Sequence, residues 1–242
     1  MLPPVQVQHS ITRTLGALDD KIESNSRLVA TAERFLKLAV LFEERREWSE
    51  VSVSGLATFV NGGAYTKGST GRGRMVIRIA ELSRGPGAST IYNELDVPNE
   101  KLARPGDLLM SWSGSLGVYR WVRDEAIINQ HIFKVVCDQY PAWLVFDRLR
   151  LVMPTFARIA ADKATTMGHI KRHHLDDQLV SVPPTADDVA RLDRQLGPLW
   201  ARLISAEREI LLLESLRDTL LPELLSGRLR VPEAEELVES VT

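Results

Sequence analysis

The sequence predicts an α+β protein, with one mixed α/β domain flanked by two long helices that pair as an antiparallel coiled coil. Three observations predict it. Apolar residues recur at alternating steps of four and three near both ends of the chain, and strand-like runs broken by Gly and Pro fill the middle. The two end segments also repeat one another.

The first helix, within residues 1–46, carries its seam on Ile11, Leu15, Leu18, Ile22, Val29, Leu36 and Ala39, with Asn25 and Ala32 at the intervening positions. An Asn inside a seam costs stability but fixes register and partner choice. An exposed Asn25, on a helix packed against a domain, is the other reading of that position. The second helix, within residues 185–230, has Val189, Leu192, Leu196, Leu199, Leu203, Ala206, Ile210, Leu213, Leu220 and Leu224 in the same alternation, interrupted by Arg217. Pro222 is expected to kink or end it near its last turn, with Gly227 as the stop. Residues 231–242 read as an acidic, flexible tail.

Leu15-Gly16-Ala17-Leu18 aligns with Leu196-Gly197-Pro198-Leu199. The register continues through Lys21 on Arg202, Ile22 on Leu203, Ser24 on Ser205, Arg27 on Arg208, Val29 on Ile210 and Glu33 on Glu214. A proline pair precedes each copy, Pro3-Pro4 and Pro183-Pro184. Heptad composition explains the Leu and Ile matches but not the shared Gly, Ser, Arg and Pro-Pro, so the repeat is real.

Between the helices, residues 47–184 turn strand-like. Strands are expected over Val51–Val60, Met75–Leu82, Asp107–Trp112, Leu116–Val122, Ala126–Val136 and Leu179–Val182. Their turns are Asn61-Gly62-Gly63, Gly85-Pro86-Gly87, Arg104-Pro105-Gly106 and Ser113-Gly114. Trp143 to Ala161 reads as one helix despite Pro154.

Composition narrows the classes of function. No apolar run is long enough to span a bilayer, and Met1 is not followed by a basic stretch and an apolar signal core. The single Cys137 excludes a disulfide framework and a cysteine zinc site, and suits a reducing cytoplasm, the expected location. The net charge of −2 hides an uneven division. Residues 48–182 hold 16 Lys and Arg against 13 Asp and Glu, about +3, whereas the remainder holds 14 against 19, about −5. The middle is therefore the part suited to phosphate contact.

No catalytic motif is present. Thr66–Arg74 is glycine-rich and basic but lacks the Gly-Lys-Ser/Thr ending of a phosphate loop, and Ser113-Gly114-Ser115 is not a nucleophile elbow. His169 and His173 lie four apart, a spacing that can share a metal on a helix, but no Glu follows His169 as a zinc protease requires. The loops offer polar recognition chemistry instead. Tyr65, Lys67, Arg72 and Arg74 share one basic loop. Ser111, Trp112 and Ser113 end one strand, and Asn129, Gln130 and His131 sit within another. Lys163, Thr165, Thr166, His169, Lys171 and Arg172 cluster near the end of the domain. Asn and Gln pair with adenine edges, Arg and Lys with guanine edges, and hydroxyls and amines with phosphates. Each group also has a plainer reading: a capped turn, a core Trp112, or an ordinary charged surface.

The words of this sequence resemble those of the specificity subunits of type I restriction–modification enzymes. The strings are Leu15-Gly16-Ala17-Leu18-Asp19-Asp20-Lys21-Ile22-Glu23, Pro105-Gly106-Asp107-Leu108-Leu109, Asn129-Gln130-His131-Ile132 and Thr166-Met167-Gly168-His169-Ile170. To these is added Leu216-Arg217-Asp218-Thr219-Leu220-Leu221-Pro222-Glu223-Leu224-Leu225-Ser226-Gly227. The resemblance implies that residues 47–184 are a DNA target-recognition domain and that the helices are conserved regions, which set half-site spacing and dock a methyltransferase subunit. It implies a chain with no catalysis of its own, S-adenosylmethionine and ATP being used only in partner subunits. Double-stranded DNA, the methyltransferase subunit and a restriction subunit are the partners it implies.

The family plan has two recognition domains, each reading half of a bipartite site; this sequence has one. A half-length or N-terminally truncated form is therefore expected, one that pairs with a second copy or with another specificity fragment. A coiled-coil protein-interaction module and an inactive truncated or recombination-donor fragment are the alternatives.

Overall fold

The computed structural model describes residues 4–44, 47–162 and 168–239. It is α+β, as expected, and it divides into two compact units, residues 1–35 with 201–242 and residues 36–200.

Two long helices run through both units, α1 (Val5–Glu43) and α5 (Ala186–Ser226). In the first unit they are antiparallel: Lys21 Nζ lies 3.4 Å from Glu209, and Arg217 reaches back to Asp19 at 2.9 Å. Ile11, Leu15, Leu18, Leu213, Leu220 and Leu224 form one buried cluster, with Ile22 packed against it. Leu203 and Ala206 are buried, and Val29 and Ile210 half-buried. Asn25 is 2% exposed, so the exposed reading does not hold; the position related to it by the repeat is the buried Ala206. The amide nitrogen of Asn25 has no hydrogen-bond partner among the described residues. Arg217 breaks the apolar seam because its guanidinium turns outward to Asp19 and Asp218.

Helix α5 continues through Pro222 to Ser226. Gly227 then takes φ +72°, and the N–H groups of Arg228 and Leu229 both donate to the carbonyl of Glu223. Beyond this turn the expected flexible tail is instead a helix, α6 (Val231–Glu239). Two features order it. Glu233 accepts the N–H of Arg230 at the start of the helix, and Ala234 and Val238, one turn apart, are buried in the cluster of α1 and α5. The acidic residues had masked an apolar pair at helical spacing.

The second unit holds the sheets. A two-stranded ribbon joins β1 (Ser49–Ser52) to β10 (Leu179–Val182). An antiparallel sheet has the order β2 (Thr58–Asn61), β9 (Ile132–Val136), β6 (Leu108–Ser111), β7 (Gly117–Arg120). A mixed sheet has the order β4 (Ile91–Asn93), β3 (Arg74–Ile77), β8 (Ala126–Ile128), β5 (Leu102–Ala103). The parallel pair β3–β8 is buried on both faces, as parallel strands require. Val76 and Ile127 pack into one cluster, and Ile77 and Ile128 into another.

Three expected strands divide. Val51–Val60 breaks at a 3-10 turn over Val53–Gly55, where the Ser52 hydroxyl accepts the Gly55 N–H. Ala126–Val136 breaks at Asn129–His131. Met75–Leu82 is strand only to Ile77, and helix α2 (Ile79–Arg84) follows. The buried Glu81 causes that change, because it accepts both the backbone N–H and the guanidinium of Arg78 and so caps the helix. Helix α3 (Ala142–Asp162) forms as expected through Pro154, and a short α4 (Arg172–Asp177) precedes β10. Within this unit Leu36, Leu192 and Leu196 are buried and Leu199 is half-buried. Trp143 Nε1 donates to Asp193 at 2.9 Å, Arg191 pairs with Glu43 at 2.8 Å, and the Phe146 and Trp200 rings lie 5.3 Å apart.

Candidate nucleic-acid interface

The sheet topology gathers three of the polar segments at one place. Residues 112–114 extend β6 and bond on one side to the Asn129–His131 turn, Trp112 N–H donating to the His131 carbonyl. On the other side they bond to residues 168–170. Ile170 N–H donates to the Trp112 carbonyl, Gly114 N–H to the Gly168 carbonyl, and Ser113 bridges His169. This backbone clamp fixes three rings. Trp112 lies 5.4 Å from His131 and 6.4 Å from His169, centroid to centroid. Phe133 lies 6.0 Å from Trp112 and supports the Arg172 guanidinium, which also donates to the Phe59 carbonyl.

The turn itself rests on glycine. Gly62 donates to the Ile132 carbonyl and Gly63 to the Ile128 carbonyl. A Cβ on Gly62 would stand 2.1 Å from the Asn129 carbonyl oxygen, so only glycine lets the strands approach this closely.

Around the rings, Gln130, His169, Lys171, Arg172 and His173 are exposed, and Trp112 and His131 are half-buried. Lys67 and Arg72 are exposed on the preceding loop. Lys67, Arg72 and Lys171 have no ion-pair partner among the described residues, so their charge faces solvent. Three buried polar atoms lack a hydrogen-bond partner among those residues: Trp112 Nε1, His131 Nδ1 and Asn129 Oδ1. Such atoms carry a cost of about 1–3 kcal/mol each unless water or a ligand meets them.

Other expected contacts are absorbed by the fold. Ser111 is fully buried and its hydroxyl donates to the Ser115 carbonyl, closing the β6–β7 hairpin; Ser113 is buried as well. Asn129 is 8% exposed, enclosed where Gly63 bridges it. Tyr65 packs on the cluster of Val76 and Ile127, and its carbonyl accepts the Asn93 amide. Arg74 lies at the opposite end of β3 from the ring cluster and pairs with Glu125 at 3.0 Å. Arg74 foremost, with Arg104, holds the Glu125 carboxyl below the usual carboxylate range. Lys163, Thr165 and Thr166 lie outside the described residues.

His169 sits in a β-bridge and His173 on α4, so the four-residue spacing does not put them on one helix. Among the described residues no three His, Cys, Asp or Glu side chains form a group able to hold a metal. Nor is any described helix long and apolar enough to cross a membrane.

Sequence reading missed Arg148, which lies 2% exposed on α3, and the stack of Arg120 over Phe146 and Trp200 at 4.7 and 5.5 Å. Arg148 gave no signal, because a charged residue inside a helix reads as surface.

No family model matches the chain. It is 23% identical over 202 residues to the type I restriction enzyme EcoBI specificity subunit of Escherichia coli, a match covering 80% of this chain and 42% of that protein. To the type I restriction enzyme MjaIX specificity subunit of Methanocaldococcus jannaschii it is 31% identical over 71 residues, covering 29% of this chain and 16% of that one. The chain thus spans less than half the length of these curated relatives. The crystal structure of the type I restriction–modification system S subunit from M. genitalium superposes with a TM-score of 0.58 at 14% identity, over 91% of this chain and 61% of that chain. That likeness is one of fold.

Proposed function

Because the homologues of this chain are type I restriction enzyme specificity subunits, we propose that it is a sequence-specific DNA-binding subunit of such a complex and has no catalytic activity of its own. The observation that carries this reading is the clamped cluster of Trp112, His131 and His169, with exposed amide, imidazole and cationic groups around it. Gln130 and His169 face the base edges of one half of a bipartite site. Lys67, Arg72 and Lys171 contact phosphates. The paired helices dock the methyltransferase subunit, and methylation chemistry with its S-adenosylmethionine, like any ATP-driven step, takes place in partner subunits. One reader per chain makes assembly with a second copy, or with another specificity fragment, the route to a complete site.

The test is selection from a random double-stranded DNA library by the chain together with its methyltransferase subunit. A gapped sequence should emerge. Replacing Lys67, Arg72 or Lys171 by Ala should weaken binding to all sequences and flatten the salt dependence by about one counterion each, whereas Gln130→Ala should relax selection at one base pair. Absence of any enriched sequence would refute the proposal. Binding indifferent to the three cations would favour a protein-interaction module.

A further inference from the structure

Burying a guanidinium costs several kcal/mol unless its donors are all met, and an apolar side chain of the same volume often stabilises more. An arginine kept at such a position therefore calls for a reason other than stability. Arg148 on α3 is this case, and its partners share one property. Its Nη1 donates to Glu44 at 2.8 Å and to the Ser181 hydroxyl at 3.0 Å, and its carbon stands 5.5 Å from the Trp48 ring. Its Nε and Nη2 both donate to Oδ2 of the adjacent Asp147. Glu44 directly follows α1 and Trp48 directly precedes β1; Ser181 lies on β10, four residues before the Thr185 that caps α5. These are the two passages by which the chain enters the sheet domain from one helix and leaves it for the other. The ribbon β1–β10 brings them side by side, Glu50 opposite Ser181. Ser181 also donates to Glu44, so both passages and α3 meet in one ionic knot.

We propose that Arg148 is a positioning residue that locks the sheet domain at one angle on the 36–44 and 186–200 portions of the helices, and so sets where a DNA half-site lies relative to them. A domain held by two adjacent linkers can pivot about them. A buried cation shared by both linkers and by a core helix of the domain, acting with the Trp143–Asp193 bond and the Phe146–Trp200 ring contact, removes that freedom. A rotation separates it from Glu44 or Ser181 and leaves Nη1 buried without an acceptor, with only Asp147 still paired to the guanidinium. The consequence for DNA rests on the DNA-reading proposal; the lock itself does not.

The experiment uses the full chain carrying spin labels at Lys37→Cys on α1 and Glu94→Cys in the domain, both exposed and both in the same unit. Cys137 is half-buried, so the labelled background carries Cys137→Ser. Double electron–electron resonance should give one narrow distance. Arg148→Met and the milder Glu44→Gln should broaden it while the domain's near-ultraviolet spectrum is kept, and Arg148→Lys should restore part of the sharpness. An unchanged distance in folded Glu44→Gln or Arg148→Met would overturn the proposal. In the library selection, the same variants should keep the half-site sequence but accept several gap lengths where the parent accepts one. If the parent enriches no sequence, DNA reading fails, and the spin-label distances still decide the lock.

Discussion

Asn25→Leu should make this protein more stable. Asn25 lies 2% exposed in the helix seam, its amide nitrogen without a hydrogen-bond partner among the described residues, while Leu18 and Ala206 are fully buried. An unpaired buried amide costs about 1–3 kcal/mol, and leucine, with the same branching, adds apolar burial worth about 1.5–3 kcal/mol before crowding against the facing helix is subtracted. A net gain of about 2 kcal/mol remains, which for a chain of this length raises Tm by roughly 4–8 °C. Thermal unfolding followed by far-ultraviolet circular dichroism measures it. The gain should come with a looser register, because a polar seam residue penalises slipped pairings and leucine does not. An unchanged or lower Tm in a fully helical variant would refute the reasoning and mean that the amide is a stabilising group.

Two further outcomes follow from the sheet domain. Burial raises the carboxyls of Glu81 and Glu44, but hydrogen bonds from Arg78 to the first, and from Ser181 and Arg148 to the second, outweigh it and leave both below the ordinary 4.5. The unfolded chain therefore binds more protons in acid, so the stability these groups contribute is present above about pH 4.5 and is lost as the pH falls through their folded values. Urea midpoints measured down to about pH 3 should fall in the parent and fall less steeply in Glu81→Gln; parallel curves would contradict this. Gly62→Ala should lower the urea midpoint by the equivalent of about 1–3 kcal/mol, since the new methyl meets the Asn129 and Ile128 carbonyls at 2.1 and 2.5 Å and backbone cannot yield. The same change should blur base selection through the displaced Asn129–His131 turn.

Part of the site was legible in sequence because its polar residues stand in short strings, Asn129-Gln130-His131, Ser111-Trp112-Ser113 and the stretch around His169, the last two beside a glycine. Which members face solvent was not legible. Ser111 and Trp112 are neighbours, yet the hydroxyl closes a hairpin and the indole joins the ring cluster, because strand geometry sends adjacent side chains to opposite faces. Arg72 and Arg74 differ for another reason. Glu125 holds Arg74, and the two are far apart in the chain.

The sequence by itself determined what depends on local period: the seams from Ile11 to Leu36 and from Leu192 to Leu213, the repeat that relates them, and the strand-rich middle between. A hydrophobic repeat is written into neighbouring residues and is legible wherever it occurs. Tertiary structure alone decided what depends on partners. It turned the acidic end into α6 by supplying a cluster for Ala234 and Val238, ended β3 early through the cap on Glu81, and enclosed Asn25. It also brought Glu44, 104 residues away in sequence, and Ser181, 33 residues away, onto Arg148. The energy of a buried charge or amide is set by what surrounds it in space, and no period in the chain encodes that.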